Sequence, residues 1–355
     1  MSMAPRRHRS CDQPPRRVRV ISSEALDERY IEVLRLLEPY HYFKFATIPW
    51  LHYLSDIKVE YSVFRKYLGY LRQAPNRYVS CPEQQNASPN VDRKTLVYEL
   101  APRGLTELLR RGLTASRGSY NYIETLAFPR RAFPFAAHRS AAYYHEIIVD
   151  LGYFAPLRYL VRNDPNLRLL DFAQLMQHRN VPQQTREAKD PLLVILKEAQ
   201  VRFDGAPHLL IRKGAREKAP LTLGIPGIQV DRGTTSIGKL ESHLLHAIEF
   251  IDERHYERHW GFDNCVVPFL FTTQTRKERA MQFIRARGAH CPFLLFRTIP
   301  DFGLLRHFPR PEHYAPNYHY TDEEPRHPDA IHLFTTPWQR VGFADFFLST
   351  FDEGG

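Results

Sequence analysis

Residues 227–239, GIQVDRGTTSIGK, place an amide, a carboxylate, an arginine and a lysine within one short stretch. With Asp204 of VRFDGAP they form the candidate catalytic set: Asp204, Gln229, Asp231 and Lys239. Two carboxylates and an amide oxygen can hold Mg²⁺ when water and phosphate oxygens complete its shell. Such a metal acidifies a bound water and takes up developing charge, and a lysine orients that water or stabilises a pentavalent phosphorus. The same residue types also make a simpler object: Asp231 capping the next turn, Arg232 in a surface pair, and Gly233-Thr234 as the turn itself.

Several elements must bring these groups together. Gln229 and Asp231, two residues apart on a strand, project to the same face. Asp204 starts another strand beside Gly205, where a backbone or ligand can approach closely. In the helix that follows, Lys239, His243, His246 and Phe250 fall on one stripe, and Leu240, Leu244, Ala247, Ile248 and Ile251 fall on another about 100° away. The apolar stripe packs the helix on the sheet, so the Lys/His stripe faces the strand ends. Around this core the sequence predicts a leading helix, HRSAAYYHEIIVDLGYFAPLRYL, carrying His138, His145 and Glu146. Strands HLLIRK and GIPGIQVD follow, then a helix from Thr235 to about Glu253, strand CVVPFLFTT, helix TRKERAMQFIRARG ending at Gly288, and strand CPFLLFRTI. DPLLVILKEA is apolar but of unassigned type. Alternating strands and helices imply a mixed or parallel sheet covered by helices.

The first third has a different pattern. Glu24 to Leu37 has helical spacing (Tyr30, Val33, Leu34, Leu37), and FATIPWLHYLS is a second helix with Thr47 as cap and Pro49 in its first turn. A third, KVEYSVFRKYLGYLRQ, puts Val63, Tyr67 and Leu71 on one face. NRYVSCPEQ and KTLVYELAPRGLTELLRRG read as two strands about a polar loop, PEQQNASPN, and a closing helix. Three helices and a β-hairpin make a winged helix-turn-helix, whose third helix enters the major groove. Its candidate DNA contacts are Tyr61, Ser62, Arg65, Lys66 and Arg72, with the cations mostly neutralising phosphates. Winged domains also dock proteins, which remains an alternative for this third of the chain.

Net charge supports an acidic partner: +10 at pH 7 with a pI of about 9.4. Nucleic acid comes first and an anionic membrane second. No apolar run of membrane-spanning length occurs, and the start MSMAPRRHRSCDQPPRRVRV lacks the apolar segment of a secretory signal. Four scattered cysteines without CxxC spacing fit a reducing cytoplasm. HYERH has a histidine pair at i,i+4 but lacks the acid a zincin needs, and is expected at a solvated helix end.

A winged helix, a His-containing helix, an Asp-bearing strand and then QVDRGT resemble the replication-relaxation family of plasmids and integrative elements. Its C-terminal half is similar to PD-(D/E)XK nucleases. The resemblance covers residues 25–300 and is sharpest at QVDRGT, the next helix and VPFLFTT. It implies that Asp204 matches the family's Pro-Asp aspartate, with Phe203 in place of the proline. Asp231 matches the aspartate of Asp-Arg-Gly-Thr, and Gln229 replaces the usual Glu. Glu146 becomes the acid from the leading helix, and Lys239 a lysine that has migrated to the helix. The implied metal set is Asp204, Asp231 and Glu146, with Mg²⁺ as the ion if the site is catalytic; an amide at position 229 weakens it. HPDA at 327–330 follows the QVDRGT strand, the wrong side for the family's motif.

The expected organisation is a basic arm (1–23), a winged-helix domain (24–117), a linker (118–137), a mixed-sheet PD-(D/E)XK-like α/β domain (138–306) and an irregular extension (307–355). The expected function is that of a cytoplasmic protein of a mobile element that binds double-stranded DNA in replication, mobilisation or transcriptional control. Its partners would be DNA, a second copy, and replication or mobilisation proteins, with no membrane. The alternatives are an active Mg²⁺-dependent endonuclease and a protein-docking scaffold.

Overall fold

The computed structural model describes residues 26–38, 43–82, 96–113, 143–214, 220–289, 291–300, 308–315, 318 and 333–351. The basic arm, the linker, His138, the HPDA stretch and all but Pro82 of PEQQNASPN lie outside the described residues.

The first helix, α1 (Glu28–Leu36), begins at Asp27, whose carboxylate accepts from the Arg29 and Tyr30 amides. Strand β1 (Ala46–Thr47) runs directly into α2 (Ile48–Leu54), with Pro49 in the first turn. Thr47 holds the cap position but does not cap through its side chain; its hydroxyl is buried without a partner. In α3 (Tyr61–Arg72) the buried stripe is Phe64, Leu68 and Leu71. Val63 and Tyr67, expected inside with Leu71, are half-buried at its border, because steps of four and three from Phe64 keep the apolar side chains on a single line. Strands β2 (Val79–Ser80) and β3 (Val97–Leu100) pair antiparallel, and β1 adds to the other edge of β3. Helix α4 (Pro102–Arg110) closes this unit against α1.

Residues 143–147 are helical and continue through a π-helical stretch, Ile148–Phe154, into α5 (Ala155–Asn163). All seven π residues are buried, Asp150 among them. This helix joins the two halves. The Asp150 Oδ2 accepts from the Phe45 amide at 2.7 Å, Lys44 pairs with Glu146 at 3.2 Å, and Arg162 donates to the Leu54 carbonyl at 3.0 Å. Tyr53 stacks on Tyr159, and the Trp50 indole donates to the Pro309 carbonyl.

Next come β4 (Leu167–Leu170), the short helices α6 (Phe172–Met176) and α7 (Gln183–Arg186), and a hairpin of β5 (Val194–Ile195) and β6 (Gln200–Val201). DPLLVILKEA thus supplies only the two residues of β5. Strand β7 (His208–Arg212) lies between β4 and β8 (Leu221–Ile225), antiparallel to both. The strand expected over GIPGIQVD is broken: β8 ends at Ile225 and β9 (Gln229–Asp231) begins after Pro226-Gly227. Proline cannot donate to a ladder, and Gly227 sits at φ 130°, where an added Cβ would lie 2.6 Å from that of Phe203. The chain proceeds through α8 (Ile237–Asp252), α9 (His255–Trp260), β10 (Val267–Phe271), α10 (Gln274–Ala286) and β11 (Leu294–Thr298). β9, β10 and β11 are parallel in the order β11-β10-β9. Gly224 of β8 bridges Cys265, just before β10, and so links the antiparallel and parallel groups. The fold is mixed α and β. Beyond it, Gln339 pairs with Phe296 of β11, and Leu333, Trp338 and Leu348 are buried. Part of the expected irregular extension therefore packs as core.

Burial, reinforced by nearby Glu146, raises the Asp150 carboxyl well above its usual range, although the Phe45 and Lys44 amides oppose this. The folded state then holds a proton that the unfolded chain releases near pH 4, so this group's contribution to stability falls as pH rises from about 4. Asp150→Ala, which strands the Phe45 amide, should cost about 1–3 kcal/mol in urea denaturation. Asp150→Asn should gain on the wild type as pH is raised from 4 to 8; a constant difference would contradict a neutral carboxyl.

Candidate functional site

The site forms at the carboxyl ends of β9 and β10, the usual position for a ligand crevice in an open α/β sheet. Gln229 pairs across from Phe269 and Asp231 from Phe271, and Gln229 and Asp231 share a face as their spacing predicts. Asp204 arrives from the antiparallel side. Its amide donates to the Ile228 carbonyl and its carbonyl accepts from the Ile228 amide, both at 2.8 Å. These bonds set the Asp204 side chain beside the start of β9, where Oδ2 accepts from the Val230 amide at 2.8 Å.

Each carboxylate is engaged by protein donors. The Asp204 Oδ1 is 2.9 Å from His145 Nε2. The Asp231 Oδ1 accepts from the Gly233 amide at 2.7 Å, the capped-turn geometry expected of DRGT. Its Oδ2 accepts from Arg276 Nε and Nη2 at 2.9 and 2.6 Å, and Nη2 also donates to the Thr235 carbonyl. Asp231 and Arg276 are both well buried, so this is an interior charge pair with its hydrogen bonds largely satisfied. Arg232 turns away and lies over the Tyr144 ring.

Of the expected stripe on α8, His243 lies near Asp204 and Asp231, whereas His246 lines a separate groove with Ser242, Leu245 and Phe283, and Phe250 is buried in the core. His243 is half-buried; burial, Lys239 and His246 lower its pKa, while Asp204 and Asp231 act to raise it. Lys239 is exposed in the first turn of α8, and among the described residues no carboxylate lies within ion-pair distance of it.

Behind Asp204 lies a cavity of about 290 Å³, walled by Phe154, Phe172 and Phe203 and edged by Lys44, Glu146 and Asp150. Glu146 faces this cavity together with Asp204, whereas Asp231 points to Arg276, so the expected metal set is divided. Among the described residues no three His, Cys, Asp or Glu side chains are grouped to hold a metal. With all four carboxylate oxygens of Asp204 and Asp231 accepting from protein donors and an amide at Gln229, this arrangement does not fit Mg²⁺. His208, also lining the cavity, is lowered to about 4 by burial; its Nδ1 lies 3.0 Å from the Ala206 carbonyl, so Nε2 is left to accept from the Tyr153 hydroxyl at 3.2 Å.

The DNA-contact candidates lie elsewhere, on α3. Tyr61, Ser62, Arg65, Lys66 and Arg72 are all exposed. Tyr61 packs edge-on against His52, and Arg72 reaches back to the Cys81 sulfur. His52 Nε2 meets the Val59 carbonyl at 2.8 Å and so fixes the turn between α2 and α3. Sequence reasoning missed Arg276 and the role of His145. Their pairings depend on which strands become neighbours, and residue spacing carries no signal of that.

Burial lowers the His145 pKa, but the Asp204 charge and hydrogen bond, aided by Glu146, more than reverse this and bring it to about 8. A histidine raised from about 6.5 stabilises the fold below that pH, and the contribution disappears as pH rises through 8; it amounts to about 1–2 kcal/mol. Histidine NMR should find a ring titrating near pH 8 that returns toward 6.5 in Asp204→Asn. An unmoved midpoint would rule out the pair. No family model, curated protein or solved structure matches this chain.

Proposed function

We propose that this protein binds double-stranded DNA through α3, presented by an N-terminal winged helix. One observation carries the proposal. The helix buries Phe64, Leu68 and Leu71, and its outward line of Ser62, Arg65, Lys66 and Gly69 follows i, i+3, i+4 and i+7 spacing. That line combines cations for phosphates with the Ser62 hydroxyl for a base edge. The element order α1-β1-α2-α3-β2-β3 and strand order β1-β3-β2 support the winged-helix assignment. The excess of positive charge on the whole chain supports an anionic partner. No helix among the described residues is long and apolar enough to cross a membrane.

The resemblance to replication-relaxation proteins extends this to a cytoplasmic protein of a mobile element, acting in replication, mobilisation or transcriptional control, as a monomer or as a homodimer with replication or mobilisation partners. A second reading, a Mg²⁺-dependent endonuclease of PD-(D/E)XK type, is favoured by Asp204, bridged to Ile228, and Asp231 at the end of β9 standing ahead of α8. It requires Asp231 to leave Arg276, and it predicts plasmid nicking with Mg²⁺ that Asp231→Ala abolishes. Intact plasmid in the presence of Mg²⁺ or Mn²⁺ would dismiss it.

Arg65→Ala with Lys66→Ala should weaken duplex binding and reduce the slope of log affinity against log salt by about two. Unchanged slope and affinity would remove α3 from the interface. Gly69 lies on the outward line, and a Cβ added there meets nothing within 4 Å. Gly69→Ala should therefore stabilise the helix by up to about 1 kcal/mol while weakening DNA binding, because the methyl group intrudes where the groove approaches. A melting curve beside a binding isotherm checks both; tighter or equal binding would place the DNA elsewhere.

A further inference from the structure

We propose that the cavity behind Asp204 binds a small, flat, uncharged heteroaromatic ring of nucleobase size, held between phenyl walls with one polar edge against the Asp150 carboxyl. The first observation is the backbone that lines it. π-Helical backbone is rare and concentrates at functional sites. Here the stretch Ile148–Phe154 adopts it, and three of its residues, Val149, Asp150 and Phe154, line the cavity. Gly205 packs against them at φ 71°, where an added Cβ would lie 2.7 Å from the Phe154 ring, so this wall is fitted to a bare backbone.

The second observation is what the walls are made of. Phe154, Phe172 and Phe203 are each held edge-on by another ring, His208, Trp260 and Phe250 respectively. The faces are set before a ligand arrives, and they suit a π-system. At about 290 Å³ the space lies at the small end of the roughly 300–1,000 Å³ of ligand pockets, room for one ring system with few substituents. It opens to water between His145, Glu146 and Asp204, whose side chains are 30, 34 and 27 % exposed.

The third is charge. Cations along the rim meet acids of the protein itself: Lys44 with Glu146, His145 with Asp204 and Arg202 with Asp190. Burial keeps His208 neutral, and its ring nitrogens already meet the Ala206 carbonyl and the Tyr153 hydroxyl. Burial keeps Asp150 neutral as well, and a neutral carboxyl that accepts the Phe45 and Lys44 amides still carries an O–H to donate. Donor and acceptor then stand side by side, the complement of a nucleobase edge. A charged ligand would find the rim charges already matched, and a plain hydrocarbon would leave the Asp150 O–H unmet.

Such an edge comes from a free base or from an unpaired base in a strand, and only the second source rests on the DNA-binding reading above. The test is titration calorimetry of the full-length chain with cytosine, adenine and a short oligodeoxycytidine, beside toluene, benzylamine and benzoate. A base, free or in the oligonucleotide, should bind at one site per chain, with toluene and the two charged probes weaker by at least about tenfold. Ala206→Leu fills the cavity from a half-buried position and should weaken base binding by at least about tenfold at an unaltered melting temperature. Leu169→Phe fills it from β4 and serves if the first variant is unstable. A loss seen with the free bases identifies a free ring as the ligand; a loss confined to the oligonucleotide identifies a base presented by a strand. The inference is overturned by no binding of either the bases or the oligonucleotide, by toluene or a charged probe binding as tightly, or by both variants binding as the wild type does. Arg65→Ala/Lys66→Ala should leave free-base binding unchanged, so a failure of the α3 reading stands apart from a failure here.

Discussion

The geometry of the C-terminal half depends on two backbone hydrogen bonds between Asp204 and Ile228. They form because Pro226 and Gly227 stop β8 and turn the chain toward β9. Once Asp204 is pinned there, its side chain reaches the Val230 amide and His145, and the leading helix is drawn against the strand ends. The same helix carries Asp150 and Glu146 to the Phe45 amide and Lys44 of the first module. A bend of two residues thus fixes both the polar site and its attachment to the N-terminal unit.

The two halves separate their tasks. On α3 the charge is exposed and open to a partner, whereas in the C-terminal site most of it is internally compensated. A buried pair such as Asp231–Arg276 adds little net stability relative to an apolar replacement, but removing one partner leaves a charge that the interior cannot solvate. It therefore orders the turn after β9 and keeps the carboxylate away from ions. This arrangement then supports a binding surface better than a metal-dependent reaction.

Much of this was legible in the sequence. The presence of helices α1, α3 and α8 and the order of the main C-terminal strands and helices followed from spacing, but their buried lines differ from it: α3 turns Phe64 inward, and in α8 Phe250, placed with Lys239 and His243 on the polar stripe, is core. Three features were not legible. The break at Pro226-Gly227 lies inside an apolar run that reads equally well as one strand. β4 is too short and too unevenly patterned to stand out beside the helix before it. The partners of Asp204 and Asp231 depend on strand order, a tertiary property that no local pattern encodes. The expected metal set failed for that reason: Glu146 and Asp231 each have suitable chemistry, but the fold turns them toward different neighbours.

The most direct test of the central claim is the salt dependence of duplex binding by the wild-type chain in EDTA. Fluorescence anisotropy across a series of NaCl concentrations should give log affinity falling linearly with log salt, with a slope of several charges and no need for a divalent metal. Absence of measurable duplex binding at low salt, or an affinity indifferent to salt, would contradict the account.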